Sequence, residues 1–208
     1  MLLKDKLKGH RLILASASPR RRQILTDAGL PFVMAEPYEV DEIYPADLPA
    51  AEVAEFLATL KSDAYPVPLA DRDIILTADT TVVVGGVNGE VDEVLGKPRD
   101  RAESIEMLEK LSGRAHKVIT GVTIRTPDRR ETFAAESTVT FRHLTREEIE
   151  YYVDTFSPMD KAGAYAIQEW IGYIGIERIE GSFHNVMGLP IQMIYSYLNR
   201  LSDYYGAR

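Results

Sequence analysis

Two short apolar runs, each ended by a polar residue, constrain the fold of this chain most strongly. Residues 12–15 read Leu-Ile-Leu-Ala and residues 73–78 read Asp-Ile-Ile-Leu-Thr-Ala, and Ser16 and Asp79 follow them directly. Apolar runs of this length are typical of buried strands in a sheet that helices cover. We therefore expect two buried strands with polar residues just beyond them, which is where open α/β sheets bind ligands.

The rest of the chain mixes helical and extended patterns. Ser18 and Pro19 form a helix-start signal, Thr145 with Glu148 forms a capping box, and Asn88-Gly89 favours a hairpin. Helices are predicted over residues 19–28, 50–65, 101–112, 145–155 and 190–201, and further extended segments over 32–40, 80–84, 117–126 and 131–141. Because strands and helices do not alternate strictly, we expect an α/β fold with a mixed sheet flanked by helices. The length suits one domain over residues 1–208, or two lobes around a cleft.

Composition excludes several classes of function. The chain has no cysteine, so thiolate catalysis, Zn–Cys sites, Fe–S clusters and disulfides are excluded. Its 24 basic and 32 acidic residues give a net charge of −8, which disfavours duplex nucleic acid as a partner. No apolar run reaches the length of a membrane span, and the first residues do not form a signal peptide. We expect a soluble protein of the cytoplasm.

The segment Ser16-Ala17-Ser18-Pro19-Arg20-Arg21-Arg22 lies between a predicted strand and a predicted helix start. Backbone N–H groups at a helix start favour an anion, the serine hydroxyls add donors, and arginine grips phosphate with paired hydrogen bonds. An exposed basic helix face whose side chains point in different directions explains the segment equally well.

Two further segments can contribute charge to a site. Asp79 after its strand can hold Mg²⁺ or orient a water molecule, or it can simply cap the next turn. Lys97, in Gly96-Lys97-Pro98, can meet a phosphate as a point charge, or it can be an ordinary surface lysine.

Two segments rich in small residues let the backbone approach a ligand or another element closely. The first, residues 160–168, ends at Gln168, whose amide has the donor and the acceptor that recognition of a base edge requires. The second, residues 181–190, leads into a helix that Pro190 opens. Tight packing and an ordinary structural loop are the alternatives.

Together these segments resemble the Maf family of nucleoside triphosphate pyrophosphatases. The matching pieces follow the family's order across nearly the whole chain: residues 14–21, 78–80, 96–98, 111–116, 160–168 and 188–190. The resemblance implies an elongated α/β fold with a central cleft, similar in outline to the inosine-triphosphate pyrophosphatases. It also implies hydrolysis of a nucleoside triphosphate to the monophosphate and pyrophosphate, dependent on Mg²⁺, Mn²⁺ or Co²⁺, by a homodimer.

The resemblance also assigns roles to individual residues. Asp79 matches the catalytic base or metal ligand, and Glu42 matches a second acidic metal ligand, with Asp41 as the alternative. Lys97 and Arg21 match phosphate-contacting residues, whereas Arg20, Thr80 and Gln168 match positions linked to the choice of substrate. We expect Lys97, Arg20 and Arg21 to act in catalysis with Asp79. Lys61 matches another basic position, and we expect it to bind substrate together with Ser16 and Ser18.

The pair Asp79-Thr80, with Gln168 later in the chain, resembles the family branch that acts on dTTP and UTP rather than the branch that acts on 7-methyl-GTP. The stretch 81–97 departs from the family in looking longer than usual, which is consistent with an extended hairpin. Because the family is also associated with arrest of cell division, a non-catalytic nucleotide sensor or division regulator is the competing function.

Overall fold

Seven strands form one sheet in a computed structural model that describes residues 1–85 and 92–206, the side chains of 205 and 206 excepted. The strands are β1 (Arg11–Leu14), β2 (Val33–Met34), β3 (Asp73–Val84), β4 (Glu93–Leu95), β5 (Ala115–Arg125), β6 (Arg130–Phe141) and β7 (Ile176–Glu180). The helices are α1 (Leu3–Lys6), α2 (Pro19–Asp27), α3 (Val53–Asp63), α4 (Arg101–Leu111), α5 (Arg146–Phe156), α6 (Trp170–Gly175), α7 (Phe183–Met187) and α8 (Ile191–Gly206), with 3₁₀ turns at Ala50–Glu52 and Ala162–Ala164. The predicted hairpin at Asn88-Gly89 lies outside the described residues.

The sheet runs in the order β2-β1-β3-β5-β6-β7, and β4 also pairs with β3. Strand β1 is parallel to β2 and β3, whereas all the other pairs are antiparallel. The predicted α/β class with a mixed sheet flanked by helices is therefore confirmed.

Strand β3 has a break in pairing along one of its two edges. On this edge β1 pairs with residues 73–76 and β4 with residues 82–84, while β5 covers residues 75–83 on the opposite edge. In the described part of the chain, residues 77–81 therefore have no strand beside them on the β1 side.

Asp79 lies in the middle of β3 and pairs with Gly121 of β5. The prediction that a strand ends at Ala78 is therefore wrong, and so is the alternative that Asp79 caps a turn. The β-branched run after Asp79 continues the strand, because its pairing with β5 is unbroken through Val83. Asp79 still lies just beyond the carboxyl end of a strand, since the neighbouring β1 stops at Leu14, opposite Leu76.

Two large hydrophobic cores occupy different lengths of the same face of β3. Ile74, Leu76 and Ala78 belong to a core with α2 and α8, whereas Val82 and Val84 belong to a core with α4 and α5. Side chains alternate across a strand, so Thr80 is the residue of this face that lies between the two cores. The other face of β3 carries Asp79 and is covered by α3.

Helix α3 lies unusually close to the sheet because β5 carries a glycine beneath it. A Cβ atom on Gly121 would lie 2.2 Å from the carbonyl oxygen of Ala54, so no other residue fits there without displacing the helix. This close approach positions the last turn of α3, with Lys61, over Asp79.

Several local predictions are confirmed and others are wrong. Thr145 caps α5 through its side chain, as predicted, and Asp100 caps α4 in the same way, whereas Ser18 occupies the N-cap of α2 without a side-chain capping bond. Within the predicted extended segment 32–40, only Val33–Met34 is strand. The elements α6, β7 and α7 were not predicted, since each is six residues or shorter. No helix among the described residues is long and apolar enough to cross a membrane.

Candidate active site

A cleft of about 740 Å³ opens at the break in the edge of β3. This volume falls within the range typical of small-molecule sites. Every site residue that the sequence predicted lines the cleft: Ser16, Ser18, Arg20, Arg21, Glu42, Lys61, Asp79, Thr80, Lys97 and Gln168. The structure thus brings the predicted residues to one place, while their individual roles stay predictions.

Lys61 joins two acidic side chains on one wall of the cleft. Its Nζ lies 2.5 Å from Oδ1 of Asp79 and 3.0 Å from Oε1 of Glu42. The side chains of Lys61 and Asp79 are only 15% and 12% exposed, so their attraction is weakly screened by solvent. Asp41, the alternative to Glu42, is exposed and makes no ion pair with the residues that the structure describes, so the geometry favours Glu42.

Arg21 is held on the opposite wall by three neutral oxygens. It donates from Nε to the carbonyl of Gly188, from one terminal nitrogen to Oγ of Ser16 and from the other to Oγ1 of Thr80, at 2.8, 3.1 and 3.1 Å. One N–H on each terminal nitrogen remains for a further acceptor. Burial lowers the pKa of Arg21, and no carboxylate in the described part of the chain lies within ion-pair distance of it.

The hydroxyl of Thr80 is committed to this arrangement. It accepts from Arg21 and shares a 2.9 Å hydrogen bond with Oγ1 of Thr120, which in turn donates to the carbonyl of Asn185. Gly188 is required beside it, because its backbone has φ +111° and a Cβ there would lie 3.3 Å from Oγ1 of Thr80. Thr80 therefore serves first to hold Arg21.

Arg20 belongs to a second charged group at the cleft. Its guanidinium lies 3.2 Å from Oδ2 of Asp160, whose other oxygen lies 2.7 Å from Nζ of Lys161. Arg22, the third arginine of the run, is exposed and lies outside the cleft lining. The run therefore divides, with two arginines in the site and one on the surface.

Lys97 differs from the other basic residues of the cleft in being exposed, and like Arg21 it makes no ion pair with the described residues. Its loop is fixed from behind, since Gly163 donates from its backbone to the carbonyl of Gly96 at 3.0 Å. Gly163 itself has φ +66° and lies so close to Val82 that a Cβ would meet Cγ2 of that residue at 2.9 Å.

Gln168 also lines the cleft, and its buried side-chain oxygen has no hydrogen-bond partner among the described residues. Oγ1 of Thr81 is also buried, unpartnered and part of the cleft lining. Buried polar atoms normally have partners, so a site that leaves two of them without one is suited to a polar ligand.

Sequence reasoning missed Lys161 as a site residue. Its side chain is only 8% exposed and lies at the cleft between Asp160 and Glu169, 3.4 Å from the latter. The residue stands in the segment 160–168 that the sequence had singled out, but its burial depends on a contact with Glu169 that no local pattern reveals.

Asp79 and Glu42 form a donor set suited to a divalent cation. Both carboxylates contact the same ammonium, so their oxygens converge on one position of positive charge. No three His, Cys, Asp or Glu side chains of the described ranges come together as a metal-holding group. One or two carboxylates are nevertheless what Mg²⁺ uses when phosphates of a ligand complete its coordination, so the residues fit such an ion.

Known proteins are similar to this chain over nearly its full length. A protein of Bacteroides thetaiotaomicron named dTTP/UTP pyrophosphatase is 48% identical, covering 94% of this chain and 98% of the relative. Proteins of Porphyromonas gingivalis and Christiangramia forsetii with the same name are 45% and 42% identical, each covering 96% of this chain and 97% and 98% of the relative.

Similarity to solved structures is more distant. A HAM1 protein from Coxiella burnetii is 12% identical with a TM-score of 0.41, covering 96% of this chain and all of that one. A nucleoside-triphosphatase, dITP/XTP pyrophosphatase, from Mycobacterium abscessus is 15% identical with a TM-score of 0.39, covering 64% of this chain and 75% of that one.

The family model described as Maf-like protein matches residues 11–201, which include every predicted site residue and all seven strands of the described sheet. The resemblance seen in the ordered sequence pieces is thereby confirmed: the chain belongs to the Maf-like protein family.

Proposed function

We propose that this protein is an enzyme that hydrolyses dTTP and UTP to the nucleoside monophosphate and pyrophosphate. Relatives that are 42–48% identical over almost the whole chain bear the name dTTP/UTP pyrophosphatase. The cleft supports the same activity through the charges and hydrogen-bonding groups that line it.

The observation that carries the proposal is the charge of the cleft in an otherwise acidic chain. The described lining includes five basic side chains and four acidic ones, although the whole chain has a net charge of −8. Nucleoside triphosphates carry several negative charges, so a cleft with one more basic than acidic side chain suits them better than the acidic remainder of the chain, which disfavours nucleic acid.

Arg21 and Arg20 are suited to holding the phosphates. Arg21 offers two N–H groups from a position fixed by Gly188, Ser16 and Thr80, and an arriving phosphate would compensate its buried charge. Preorganised donors of this kind stabilise charge that develops in a transition state without having to reorient. Lys97, which is exposed and makes no ion pair with the described residues, is a third basic group of the cleft suited to contacting a phosphate.

Asp79 is the residue suited to handling the attacking water. Its Oδ1 is held by Lys61, which leaves the second carboxylate oxygen to orient a water molecule or accept its proton. The water oxygen forms a bond to the α-phosphorus, and the bond from that phosphorus to the bridging oxygen breaks. Pyrophosphate then leaves with the electron pair of that bond.

Asp79 and Glu42 are the residues that would hold a divalent cation such as Mg²⁺, Mn²⁺ or Co²⁺. Such an ion, when bound, supplies neutralisation of phosphate charge. Lys61 contacts both carboxylates and keeps them together.

Gln168 is suited to reading the base. Uracil and thymine present an N3–H donor beside a carbonyl acceptor, which one carboxamide can answer with its own acceptor and donor. The side-chain oxygen of Gln168 is buried and unpartnered, so a matching N–H satisfies it. Cytosine has no N3–H and offers an amino group instead, so CTP leaves this oxygen without the same partner.

The test is pyrophosphate release from dTTP, UTP, CTP, GTP and 7-methyl-GTP, each with Mg²⁺, Mn²⁺ or Co²⁺ and with chelator. We expect kcat/KM to be highest for dTTP and UTP, and turnover to require the ion. Nucleotide binding without turnover of any triphosphate would contradict the proposal and favour a sensor or a regulator of cell division.

The base assignment has its own variant. Gln168→Glu should lower kcat/KM for UTP and dTTP more than for the other bases, because an ionised carboxylate cannot donate to a carbonyl. Gln192→Glu, the same change on the exposed side of α8, is the matched control. An unchanged ranking of bases in Gln168→Glu would refute the assignment and leave the pyrophosphatase proposal standing.

We also propose, from the family resemblance, that the enzyme acts in the cytoplasm and as a homodimer. Sedimentation of the purified protein would test the second point, since a monomer at micromolar concentration contradicts it.

A further inference from the structure

The carboxylate of Glu169 lies outside the cleft lining and contacts side chains of two other segments. Glu169 is the N-cap residue of α6, yet its side chain makes no capping bond to that helix. Its Oε2 instead accepts from the hydroxyl of Tyr152 at 2.5 Å, and its Oε1 lies 3.4 Å from Nζ of Lys161. Glu169 itself does not line the cleft, so it cannot touch a bound nucleotide directly.

Tyr152 fastens the segment around Gln168 at two points. It is fully buried on α5, and its hydroxyl also accepts from the backbone N–H of Ala166 at 3.2 Å. The hydroxyl of Tyr152 therefore bonds on both sides of Gln168: to Ala166, two positions before it, and to Glu169, the next residue. Burial and the hydrogen bond to Glu169 raise the pKa of Tyr152, so the hydroxyl remains a donor at neutral pH.

Gln168 has no comparable bond of its own. Its side-chain oxygen lacks a partner, so the position of the amide depends on the backbone on either side of it. The segment is confined further because a Cβ on Gly172 would meet the carbonyl oxygen of Ile167 at 1.8 Å. Tyr152 and Glu169 thus help to fix the backbone from which the side chain of Gln168 extends.

Glu169 is also the last member of a chain of ion pairs in which acidic and basic side chains alternate. Lys161 contacts Glu169 and Asp160, and Asp160 contacts Arg20. The side chain of Lys161 is almost fully buried, so loss of one of its two carboxylate partners would leave part of a buried positive charge uncompensated. Through these ion pairs Glu169 is connected to Arg20, which lines the cleft.

We propose that Glu169 is a positioning residue for base selection: through Tyr152 and Lys161 it fixes Gln168 in the orientation that accepts uracil and thymine. This inference rests on the proposed function of the cleft, and within it assigns specificity to a residue that does not touch the nucleotide. Partners one layer away from site residues commonly change activity by about 10- to 100-fold at metal sites, and we expect an effect of similar order here.

The experiment measures kcat/KM for UTP and CTP in the full-length protein and in Glu169→Gln and Tyr152→Phe. The ratio of the two constants should fall by about tenfold in both variants, mainly through loss on UTP. Two matched controls keep the ratio of the unaltered protein: Tyr151→Phe, the exposed neighbour on α5, and Glu147→Gln, an exposed carboxylate of the same helix.

A merely structural role gives a different result. If the variants lower kcat/KM for UTP and CTP by the same factor, or lose only thermal stability, the proposal is overturned. Calorimetric binding of UMP and CMP provides a second readout that does not need turnover. If the unaltered protein hydrolyses no triphosphate, the proposed function fails, and the UMP-to-CMP affinity ratio decides the role of Glu169: a fall in Glu169→Gln supports it and no change overturns it.

Discussion

The ammonium of Lys61 lies 2.5 Å from the carboxylate of Asp79, although the two residues stand on different elements, the last turn of α3 and the middle of β3. The contact exists because Gly121 lets α3 lie close to the sheet. It gives Asp79 a fixed orientation and a neighbouring positive charge on one side, with the open edge of β3 on the other.

Asp79→Asn preserves the shape of this side chain and removes its charge and its capacity to accept a proton. We expect turnover to fall by roughly 10²–10⁴-fold, the usual contribution of a positioned acid or base. Steady-state kinetics with UTP, together with thermal unfolding, checks this. Unchanged specific activity per folded molecule would make Asp79 a structural residue.

Glu42→Gln and Asp41→Asn form a matched pair, because each removes one carboxylate from adjacent positions of one loop. Of these two acids, Glu42 is the one that contacts Lys61, so we expect about a tenfold loss of kcat/KM in Glu42→Gln and little change in Asp41→Asn. The concentration of Mg²⁺ at half-maximal rate should rise in the first variant alone. A larger effect of Asp41→Asn on either constant would restore Asp41 as the functional acid.

Alanine substitution of the three consecutive arginines should have different effects on activity and stability. Arg20→Ala and Arg21→Ala each remove a charge-assisted phosphate contact, for which we expect a loss of about 1.5–3 kcal/mol, or roughly 10- to 150-fold in kcat/KM. Arg21→Ala should also lower the free energy of unfolding by about 1–2 kcal/mol, since Gly188, Ser16 and Thr80 lose their donor.

Arg22→Ala is the internal control for these two variants, because it makes the same charge change at an exposed position outside the cleft. Kinetics with UTP and denaturant unfolding of all three variants provide the comparison. Equal effects at the three positions would mean that only the total charge of the helix start matters.

Because His116 is buried, we expect the protein to lose stability at mildly acidic pH. Burial lowers its pKa from 6.5 to about 4, and the ring packs against Phe141 and bonds to the hydroxyl of Tyr165. The unfolded chain takes up this proton as the pH falls through 6.5, whereas the folded chain does so only near 4. The free energy of unfolding should therefore decrease by about 3 kcal/mol over that interval.

Other groups titrate in the same interval. The contribution of His116 is therefore measured as the difference in unfolding free energy between the unaltered protein and a variant without this histidine. Urea unfolding of the unaltered protein and of His116→Gln between pH 7 and 4 should give curves that converge as the pH falls. The exposed His143→Gln should keep the original pH dependence. Parallel curves for His116→Gln and the unaltered protein would contradict the assignment.

The membership of the site could be predicted from the sequence, whereas its internal contacts could not. Residues such as Arg20, Asp79 and Gln168 stand in short segments whose composition differs from ordinary loops, and those segments occur in a recognisable order. The role of Thr80 as an anchor for Arg21 depends on a contact between residues 59 positions apart. Such contacts follow from how the sheet brings β3 beside α2, and no local pattern encodes them.

The sequence likewise predicts part of the fold, namely the elements that carry a local signal. The long apolar and β-branched segments and the capped helices were recognisable because each carries its own periodic or capping signal, as at Asp100 and Thr145. Joining residues 73–78 and 80–84 into one strand required knowledge of β5, because an aspartate within a strand is tolerated here by pairing with Gly121. The short elements α6, β7 and α7 take their form from tertiary packing rather than from propensity.

An unpaired strand edge is normally a hazard, because its free N–H and C=O groups invite a strand from another molecule and so promote aggregation. In β3 the unpaired stretch is limited to residues 77–81 on the described edge, with β1 closing one end and β4 the other. An intruding strand would find no continuous ladder beyond those five residues and would collide with both neighbours. The chain thereby leaves space for a small ligand at this edge of the sheet while denying a template to other proteins.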